Sequence, residues 1–314
     1  MPAGRSWRAG GRLRSAAHPR AEAGLAAARA GAIVGFAGTS NVAGSRAYGI
    51  PAVGTMAHSF VEAFDEERDA FRAFARHTAG PVTLLVDTYD TPTGVHVAAD
   101  VLRELLDHRG FGVRLDSGDL GALARDARRI LDEAGLPHAR IVVSGGLDEY
   151  AVEALVASEA PVDVFAVGTK VGTSADHPYL DTAYKLVEYA DRPVMKLSAG
   201  KSTAPAPKQV FRGPGCRDLL AVRDEVAPPG CAPLLEHVMT KGRRTALTPS
   251  PAEAVAAARH RFTTDMAALP NSARQITQPT APEPETSPIL ARLTEDVRHD
   301  LIRSRSGRTR VPGG

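Results

Sequence analysis

A histidine between an apolar run and a helical pattern is the first residue in this sequence whose position suggests chemistry. The run spans residues 50–53, Thr55 and His58 follow it, and the helical pattern continues over residues 59–76. Small residues between the two segments allow the backbone to turn tightly from strand to helix. Because a helix N-terminus carries partial positive charge and free N–H donors, it suits a phosphate or a carboxylate. His58 is therefore a candidate to meet an anion; its alternative role is to cap or pack against the turn.

An arginine lies inside another apolar run, and two aspartates follow it. Arg114 belongs to the run 111–115, and Asp116 and Asp119 come next. Burying a guanidinium on an apolar strand is costly unless it is paired, and a substrate carboxylate or phosphate would pair with it bidentately. The two aspartates are suited to hold ribose hydroxyls, or Mg²⁺ through water. The alternative for Asp119 is to cap the helix that begins near Leu120.

Two glycine-containing turns come directly after two later apolar runs. They consist of Ser144, Gly145 and Gly146, and of Gly168 and Thr169. Each turn exposes backbone N–H groups that can bind an anion. One such turn is a weak signal, because turns use these residues constantly. Two of them after neighbouring late strands are typical of the phosphate sites of barrels.

The elements that position these residues follow from a repeated pattern. Apolar runs recur every ~25–30 residues with helical patterns between most of them, which predicts βα units and a parallel sheet. The five runs lie near Ile50, Val82, Val113, Ile141 and Val164. Working groups of such sheets gather at the C-terminal strand ends. Because each run ends in a polar cluster, we expect the clusters to converge on one site, which favours an enzyme.

Length and composition bound the class of protein. The 314 residues suggest about two domains, or one large α/β domain with a tail, and 43% hydrophobic residues allow a sizeable core. The formal net charge of +2 argues neither for nor against nucleic acid, and we expect no nucleic-acid partner. Cys216 and Cys231 match no zinc pattern and are too few for a disulfide framework, so a reducing, cytoplasmic setting is expected. No apolar run approaches the ~20 residues needed to span a bilayer, so we expect no membrane partner.

The pattern divides the chain into four regions. We predict a βα-barrel catalytic core over residues 22–180, and a β-rich segment with C-terminal helices over residues 181–303. Residues 1–21 carry five arginines and no acid, and we expect them to be disordered or not native to the fold. Residues 304–314 are expected to form a disordered tail.

The second region begins with a predicted antiparallel strand pair at residues 182–188 and 192–197. Four basic residues in and after this pair could serve a polyphosphate ligand or form a solvated basic edge. They are Lys196, Lys201, Lys208 and Arg212.

Six motifs resemble, in order, those of the nicotinate phosphoribosyltransferase family. They are GTMAHSFVEAF, DTYDT, VRLDSGDL, VSGGLDEY, VGTKVGTSAD and RPVMKLSAGKSTAPAPKQVFR, and the resemblance runs from about Ala26 to Arg303. It implies a type II phosphoribosyltransferase with an irregular α/β barrel. Such an enzyme makes nicotinate mononucleotide from nicotinate and phosphoribosyl pyrophosphate, coupled to ATP hydrolysis and dependent on Mg²⁺, as a step of NAD biosynthesis.

The resemblance implies roles for four residues around the nicotinate ring. His58 matches the histidine that ATP phosphorylates in this family, and Thr55 matches a contact to nicotinate. Arg114 matches the arginine that meets the carboxylate of nicotinate. Ser40 matches a position where relatives that use nicotinamide carry an acid. A small hydroxyl there should favour the acid substrate, because an aspartate would repel its carboxylate.

Further roles concern the phosphoribosyl group. Asp116 matches a catalytic carboxylate on the ribose or metal side. Thr169 matches a contact to the ribose 5-phosphate, and four residues are expected around it: Ser144, Gly145, Gly146 and Gly168. The resemblance implies Mg²⁺ as cofactor, ATP as co-substrate and a homodimer, and it leaves the metal ligands unassigned.

Members of the family begin with a further N-terminal portion, which supplies a small domain, early barrel elements and an aromatic residue that stacks on nicotinate. This sequence starts almost where that portion ends. We therefore expect an incomplete irregular (β/α) barrel with a C-terminal α+β extension. Two alternatives stay open: a truncated, inactive remnant that binds phosphoribosyl ligands or a full-length partner, and a quinolinate-type phosphoribosyltransferase, whose chemistry needs no phosphorylated histidine.

Overall fold

The structure is a computed structural model that describes residues 21–104, 110–245 and 249–306. The described residues form two compact units. The first includes the described residues up to Pro178 and the segment Pro249–Thr263, and the second includes the described parts of Tyr179–Thr248 and Thr264–Gly314. The expectations for residues 1–20 and 307–314 lie outside the described residues.

The first unit begins with four helices and alternates strands and helices from its first strand onwards. Its helices are α1 (Ala21–Ile33), α2 (Val42–Tyr48), α3 (His58–Val61), α4 (Glu67–His77), α5 (Thr91–Glu104), α6 (Leu120–Glu133), α7 (Glu149–Ala157) and α8 (Thr169–Thr173). Its strands are β1 (Val82–Leu85), β2 (Phe111–Leu115), β3 (Arg140–Val143) and β4 (Val164–Phe165). They form one sheet in the order β1-β2-β3-β4, in which every neighbouring pair is parallel. The α/β fold with a parallel sheet is thereby confirmed, while the incomplete barrel stays a prediction.

The core of the first unit lies between this sheet and the helices α4, α5 and α6. The strands are apolar, and Leu84, Val113 and Ile141 are completely buried. The helices add apolar side chains from one face each, among them Phe71 and Leu102, which are also completely buried. Because burying a large apolar side chain stabilises the fold by about 1.5–3 kcal/mol, this layer holds the strand ends firmly.

The strand predicted at residues 50–53 is wrong. The segment makes a single parallel bridge, Thr39 with Ala52. Two backbone hydrogen bonds carry it, from Thr39 N to Pro51 O (3.0 Å) and from Val53 N to Thr39 O (3.0 Å). Pro51 has no N–H to donate, so a longer ladder cannot form through this position.

The single helix predicted at residues 59–76 is also wrong, because the structure has two. Helix α3 ends at Val61, and α4 begins at Glu67 after Glu66, which is extended (φ −123°, ψ 130°). Three consecutive acids at residues 65–67 favour a new helix start, since negative side chains are stabilised by the N-terminal end of the helix dipole. The helices predicted near residues 94–109, 120–134 and 147–158 correspond to α5, α6 and α7 with shifted ends, and residues 105–109 lie outside the described part.

The strands of the second unit are short. They are β5 (Glu188–Tyr189), β6 (Arg192–Pro193), β7 (Lys208–Arg212), β8 (Asp218–Val222), β9 (Ala232–Pro233), β10 (Met239–Thr240), β11 (Arg243–Arg244) and β12 (Glu285–Thr286). The main sheet has the order β12-β8-β7-β9. The antiparallel pair predicted at residues 182–188 and 192–197 exists only as the two-residue strands β5 and β6. Helix α9 (Pro251–Ala268) belongs to the first unit up to Thr263, and helix α10 (Pro288–Ser306) follows β12.

Two of the four basic residues of the second region make hydrogen bonds within the second unit. The Lys208 ammonium donates to the carbonyls of Ala204 (2.7 Å) and Ala206 (2.5 Å), and burial lowers its pKa. Arg212 donates twice to Asp218, at 2.8 Å each, and this bond lowers the pKa of the Asp218 carboxyl. These contacts favour the structural alternative over a polyphosphate role for both residues. Among the described residues, no helix combines the length and the apolar character needed to cross a membrane.

Candidate functional site

A cavity of about 450 Å³ lies at the C-terminal ends of β2, β3 and β4. Nine of the eleven residues that the sequence singles out as site candidates in the predicted catalytic core line it. They are Ser40, Thr55, Arg114, Asp116, Ser144, Gly145, Gly146, Gly168 and Thr169. The tenth, His58, faces the lining residue Asp116, with 3.7 Å between its Nε2 and Asp116 Oδ2. The eleventh, Asp119, takes its alternative role as the N-cap of α6, where its Oδ1 accepts from Ala122 N at 3.0 Å. The polar strand ends therefore gather at one place.

The parallel register brings these residues together. Leu115 is the register partner of Val143 in the β2–β3 pair, so Asp116 and Ser144 follow neighbouring positions. The hydrogen bond from Ser144 N to Leu115 O (2.8 Å) continues the ladder beyond the strand ends. Since parallel strands end at the same edge of a sheet, the side chains that follow them share one edge.

Gly145 allows the turn after β3 to approach Asp116 closely. Its φ is +100°, and a Cβ at this position would stand 1.9 Å from the Asp116 carbonyl oxygen. Side chains are excluded there both by this clash and by the backbone conformation. Gly146 also has positive φ (+66°). Because the glycines have no side chains, their backbone is uncovered at the cavity wall, as an anion-binding turn requires.

Arg114 is buried at the cavity wall and held on three sides. It is 3% exposed, and its Nε donates to Ser144 Oγ at 2.7 Å. Its two terminal nitrogens donate to Thr55 Oγ1 (2.9 Å) and to Asp116 Oδ1 (2.6 Å). Within the described part of the chain these bonds use three of the five N–H groups of the guanidinium. The cationic group is thus fixed in orientation and still has donors for a ligand.

Asp116 connects the arginine to the histidine. One of its oxygens accepts from Arg114 and from the Ser144 hydroxyl, and the other faces His58. Its backbone N–H donates to Asp87 Oδ2 (2.8 Å), and the Ser117 hydroxyl donates to the same oxygen (2.7 Å). The second carboxylate oxygen of Asp87 is buried without a hydrogen-bond partner among the described residues.

His58 is the first residue of α3, as the sequence argument expects of a residue at a helix N-terminus. Its Nδ1 lies 3.2 Å from the Thr88 hydroxyl, and its side chain is 38% exposed. Sequence reasoning assigned no role to Asp87 or Thr88. The signal was present, because both follow the apolar run that contains β1, as the other polar clusters follow theirs.

An acid at the start of α4 has unusual electrostatics. Burial, with a smaller contribution from Asp90, raises the pKa of Glu67 to about 7. Its Oε1 is buried and has no hydrogen-bond partner in the described ranges. Asp90 itself accepts from the backbone and the hydroxyl of Thr93, and these bonds lower the Asp90 pKa.

Comparison with known proteins decides the family. The model of the nicotinate phosphoribosyltransferase (NAPRTase) family matches residues 10–208. The chain belongs to this family. The nicotinate phosphoribosyltransferase pncB2 of Mycobacterium tuberculosis is 49% identical over 225 residues, which are 69% of this chain and 47% of that protein. The nicotinate phosphoribosyltransferase of Bacillus subtilis is 42% identical over 199 residues, which are 61% of this chain and 40% of that protein.

Solved structures agree with this fold. The human nicotinic acid phosphoribosyltransferase has a TM-score of 0.75 at 24% identity, covering 94% of this chain and 71% of that one. The nicotinate-nucleotide pyrophosphorylase of Pyrococcus furiosus has a TM-score of 0.66 at 28% identity, covering 80% of this chain and 63% of that one. The chain spans about half the length of the curated relatives that it matches.

Proposed function

We propose that this chain carries the active site of a nicotinate phosphoribosyltransferase. The reaction joins nicotinate to phosphoribosyl pyrophosphate, gives nicotinate mononucleotide and pyrophosphate, and serves NAD biosynthesis. One observation carries the proposal: a buried, oriented guanidinium and two glycine turns line a single cavity of about 450 Å³. A carboxylate on an aromatic ring and a phosphate on a sugar are the two anions that such a cavity would hold side by side.

The nicotinate carboxylate would bind at Arg114. The guanidinium is held by Ser144, Thr55 and Asp116, so it does not have to be ordered when the ligand arrives. Ser40 lines the same cavity with a small neutral hydroxyl, which tolerates a ligand carboxylate. The ion pair between Arg114 and Asp116 limits the affinity for the nicotinate carboxylate, because that carboxylate meets a guanidinium whose charge is already partly neutralised.

The ribose 5-phosphate would bind at the two turns. Gly145 and Gly146 present backbone after β3, while Gly168 and Thr169 do so after β4. Displacement of pyrophosphate develops positive charge at C1 of the ribose and negative charge on the leaving group. Asp116 lines the cavity, so its carboxylate would face the positive sugar.

The residues present fit Mg²⁺, which would neutralise the leaving pyrophosphate when bound. Asp116 lines the cavity, and Asp87, whose Oδ2 accepts from the Asp116 N–H, retains a buried oxygen with no partner in the described part of the chain. Carboxylate oxygens in small number are the protein ligands that Mg²⁺ takes, with water completing its shell. We propose these two as the residues that hold it.

ATP would act through His58. Transfer of the terminal phosphoryl group to the ring would place roughly two negative charges beside Asp116 and the cavity. This charge would help to hold the metal and would couple ATP hydrolysis to substrate binding. The cytoplasmic setting and the homodimer are part of the same proposal.

One alternative is favoured by a specific observation. Because the chain spans about half the length of its curated relatives, it can also be a fragment that binds phosphoribosyl ligands or a longer partner without turning over. The deciding experiment measures nicotinate mononucleotide formation with and without ATP, beside a chain extended upstream. Formation that ATP stimulates, and that His58→Ala uncouples from ATP, supports the enzyme. Product from quinolinate without ATP would contradict it, and no product from this chain alone would favour the fragment.

A further inference from the structure

His58 is contacted through both of its ring nitrogens. Nδ1 lies 3.2 Å from Thr88 Oγ1, and Nε2 lies 3.7 Å from Asp116 Oδ2. A neutral imidazole carries its proton on one nitrogen and a lone pair on the other. The Thr88 hydroxyl can donate to a lone pair or accept from an N–H, whereas a carboxylate oxygen only accepts, so Asp116 is the neighbour that discriminates between the two nitrogens.

Asp116 decides the position of the proton. A carboxylate attracts an N–H and repels a lone pair, so the proton of the neutral ring belongs on Nε2. The carboxylate cannot turn away easily, because its other oxygen accepts from Arg114 and Ser144. The lone pair is then on Nδ1, where the Thr88 hydroxyl can donate to it.

Both contacts of the His58 ring depend on the segment that follows β1. Asp87 and Thr88 are consecutive residues after β1, and the backbone before them is tied to β2 by the bond from Val86 N to Arg114 O (3.2 Å). Asp87 fixes the backbone of Asp116, and Thr88 contacts His58 directly. The ring belongs to a four-residue helix and is 38% exposed, and in the described part of the chain Thr88 and Asp116 are the polar side chains seen at its nitrogens.

We propose that Thr88 is a positioning residue for His58: its hydroxyl holds the ring by Nδ1 in the orientation in which Asp116 favours the Nε2–H tautomer of the neutral imidazole. The catalytic meaning of this arrangement rests on the proposed function, since a histidine that accepts a phosphoryl group needs a defined lone pair. The arrangement itself is a property of the ligand-free protein. It can therefore be tested whether or not the chain is active.

The test uses the full chain labelled with ¹⁵N-histidine, and His58→Gln assigns the His58 signals. Thr88→Val keeps the branched shape of the side chain and removes the hydroxyl, while Thr88→Ser keeps the hydroxyl. Thr263→Val is the control, because that hydroxyl donates to Arg259 O inside helix α9. The ¹⁵N shifts of the two ring nitrogens report the tautomer populations at a pH where the ring is neutral.

In the unchanged protein we expect the Nε2–H tautomer to dominate. Thr88→Val should remove the contact that holds the ring, so that the ring can rotate away from Asp116 and the carboxylate biases the tautomer less. The share of the other tautomer should then rise, by up to about fivefold if a full hydrogen bond's worth of orientation is lost, and Thr88→Ser and Thr263→Val should not change it. The ATP-coupled formation of nicotinate mononucleotide should fall in Thr88→Val and recover in Thr88→Ser.

Unaltered ring shifts in Thr88→Val would overturn the positioning role, whatever the activity shows. A dominant Nδ1–H tautomer in the unchanged protein would overturn it as well. If the tautomer responds as expected while the unchanged chain makes no nicotinate mononucleotide, the proposed function fails and the positioning of His58 stands.

Discussion

Arg114 shows how a single residue combines a structural and a ligand-binding requirement. A guanidinium that is 3% exposed would cost several kcal/mol if it were unpaired. Asp116 at 2.6 Å compensates the charge, and the hydroxyls of Ser144 and Thr55 hold the plane of the group. The sequence argument that this arginine must be paired is therefore sound, but it considers a ligand as the partner and misses the protein's own carboxylate two residues further along the chain, just after β2.

Charge at position 40 should decide between nicotinate and its amide. Ser40→Asp places a carboxylate in the wall of the cavity that contains Arg114. We expect nicotinate binding to weaken about ten- to hundredfold, from a repulsion on the order of 1–3 kcal/mol, with nicotinamide affected much less. Calorimetric titration with both ligands measures this without requiring turnover. Ser40→Asn, which adds the same bulk without charge, is the control, and an equal loss in both variants would contradict the electrostatic explanation.

Glu67 should make stability depend on pH. Its folded pKa of about 7 lies above its unfolded value of 4.5, so between these values the folded state holds more protons. The contribution of Glu67 to stability is therefore largest below about pH 4.5 and is lost as the pH rises towards 7. Because the side chain is only half-buried, solvent screening reduces the effect to about 1–2 kcal/mol.

The variant Glu67→Gln removes this titration, so its free energy of unfolding relative to the unchanged chain should rise by that amount between pH 4.5 and 8. Urea unfolding at a series of pH values measures the difference. If the free energies of unfolding of the two proteins differ by the same amount at every pH, the pKa of the Glu67 carboxyl is not raised in the folded state.

At the scale of elements, the βα units were predictable because their signal is periodic and local. The runs that contain β1, β2, β3 and β4 alternate with helical patterns, and the polar residues at their ends could be placed on one edge from the parallel arrangement alone. The segment 50–53 has the same apolar signal, but Pro51 limits it to a single bridge. The end of α3 at Val61 depends on how the chain enters α4, which no periodicity records.

The turn after β3 should tolerate no side chain at its first glycine. Gly145→Ala adds a Cβ that would stand 1.9 Å from the Asp116 carbonyl oxygen, at a φ of +100°. We expect a loss of about 2–3 kcal/mol in the free energy of unfolding, since clash and backbone strain add. Binding of phosphoribosyl pyrophosphate should weaken with it, because the backbone of the turn moves.

Gly135→Ala is the matched control for this change. Gly135 also has positive φ (+76°), but a Cβ there would meet nothing within 4 Å. Its cost should therefore be strain alone, about 1 kcal/mol, with ligand binding unchanged. Urea unfolding and calorimetry on both variants separate the two contributions. Equal losses of stability would mean that the approach of the turn to Asp116 is not tight.

For the molecule as a whole, the sequence could indicate which residues share the site but not how they are connected. Asp116 and Ser144 follow neighbouring parallel strands, and this much is readable from spacing. The contacts of Asp87 and Thr88 join residues that are about thirty positions apart, through atoms whose placement depends on the packing of β1 against β2. The contacts of Lys208 could not be predicted from the sequence either, because its carbonyl partners lie in a turn where Ala206 has a φ of +64°.

The cavity belongs entirely to the first unit, and this makes ligand binding separable from turnover. Phosphoribosyl pyrophosphate with Mg²⁺, at about a hundred times its dissociation constant, should stabilise the folded chain by about 2.7 kcal/mol. For a unit of this size the melting temperature should rise by roughly 5–10 °C. Differential scanning calorimetry measures the shift, and Gly145→Ala should reduce it. A rise together with product formation supports an enzyme, a rise without product supports a ligand-binding fragment, and no rise at saturating ligand would refute the assignment of the cavity to a phosphoribosyl group.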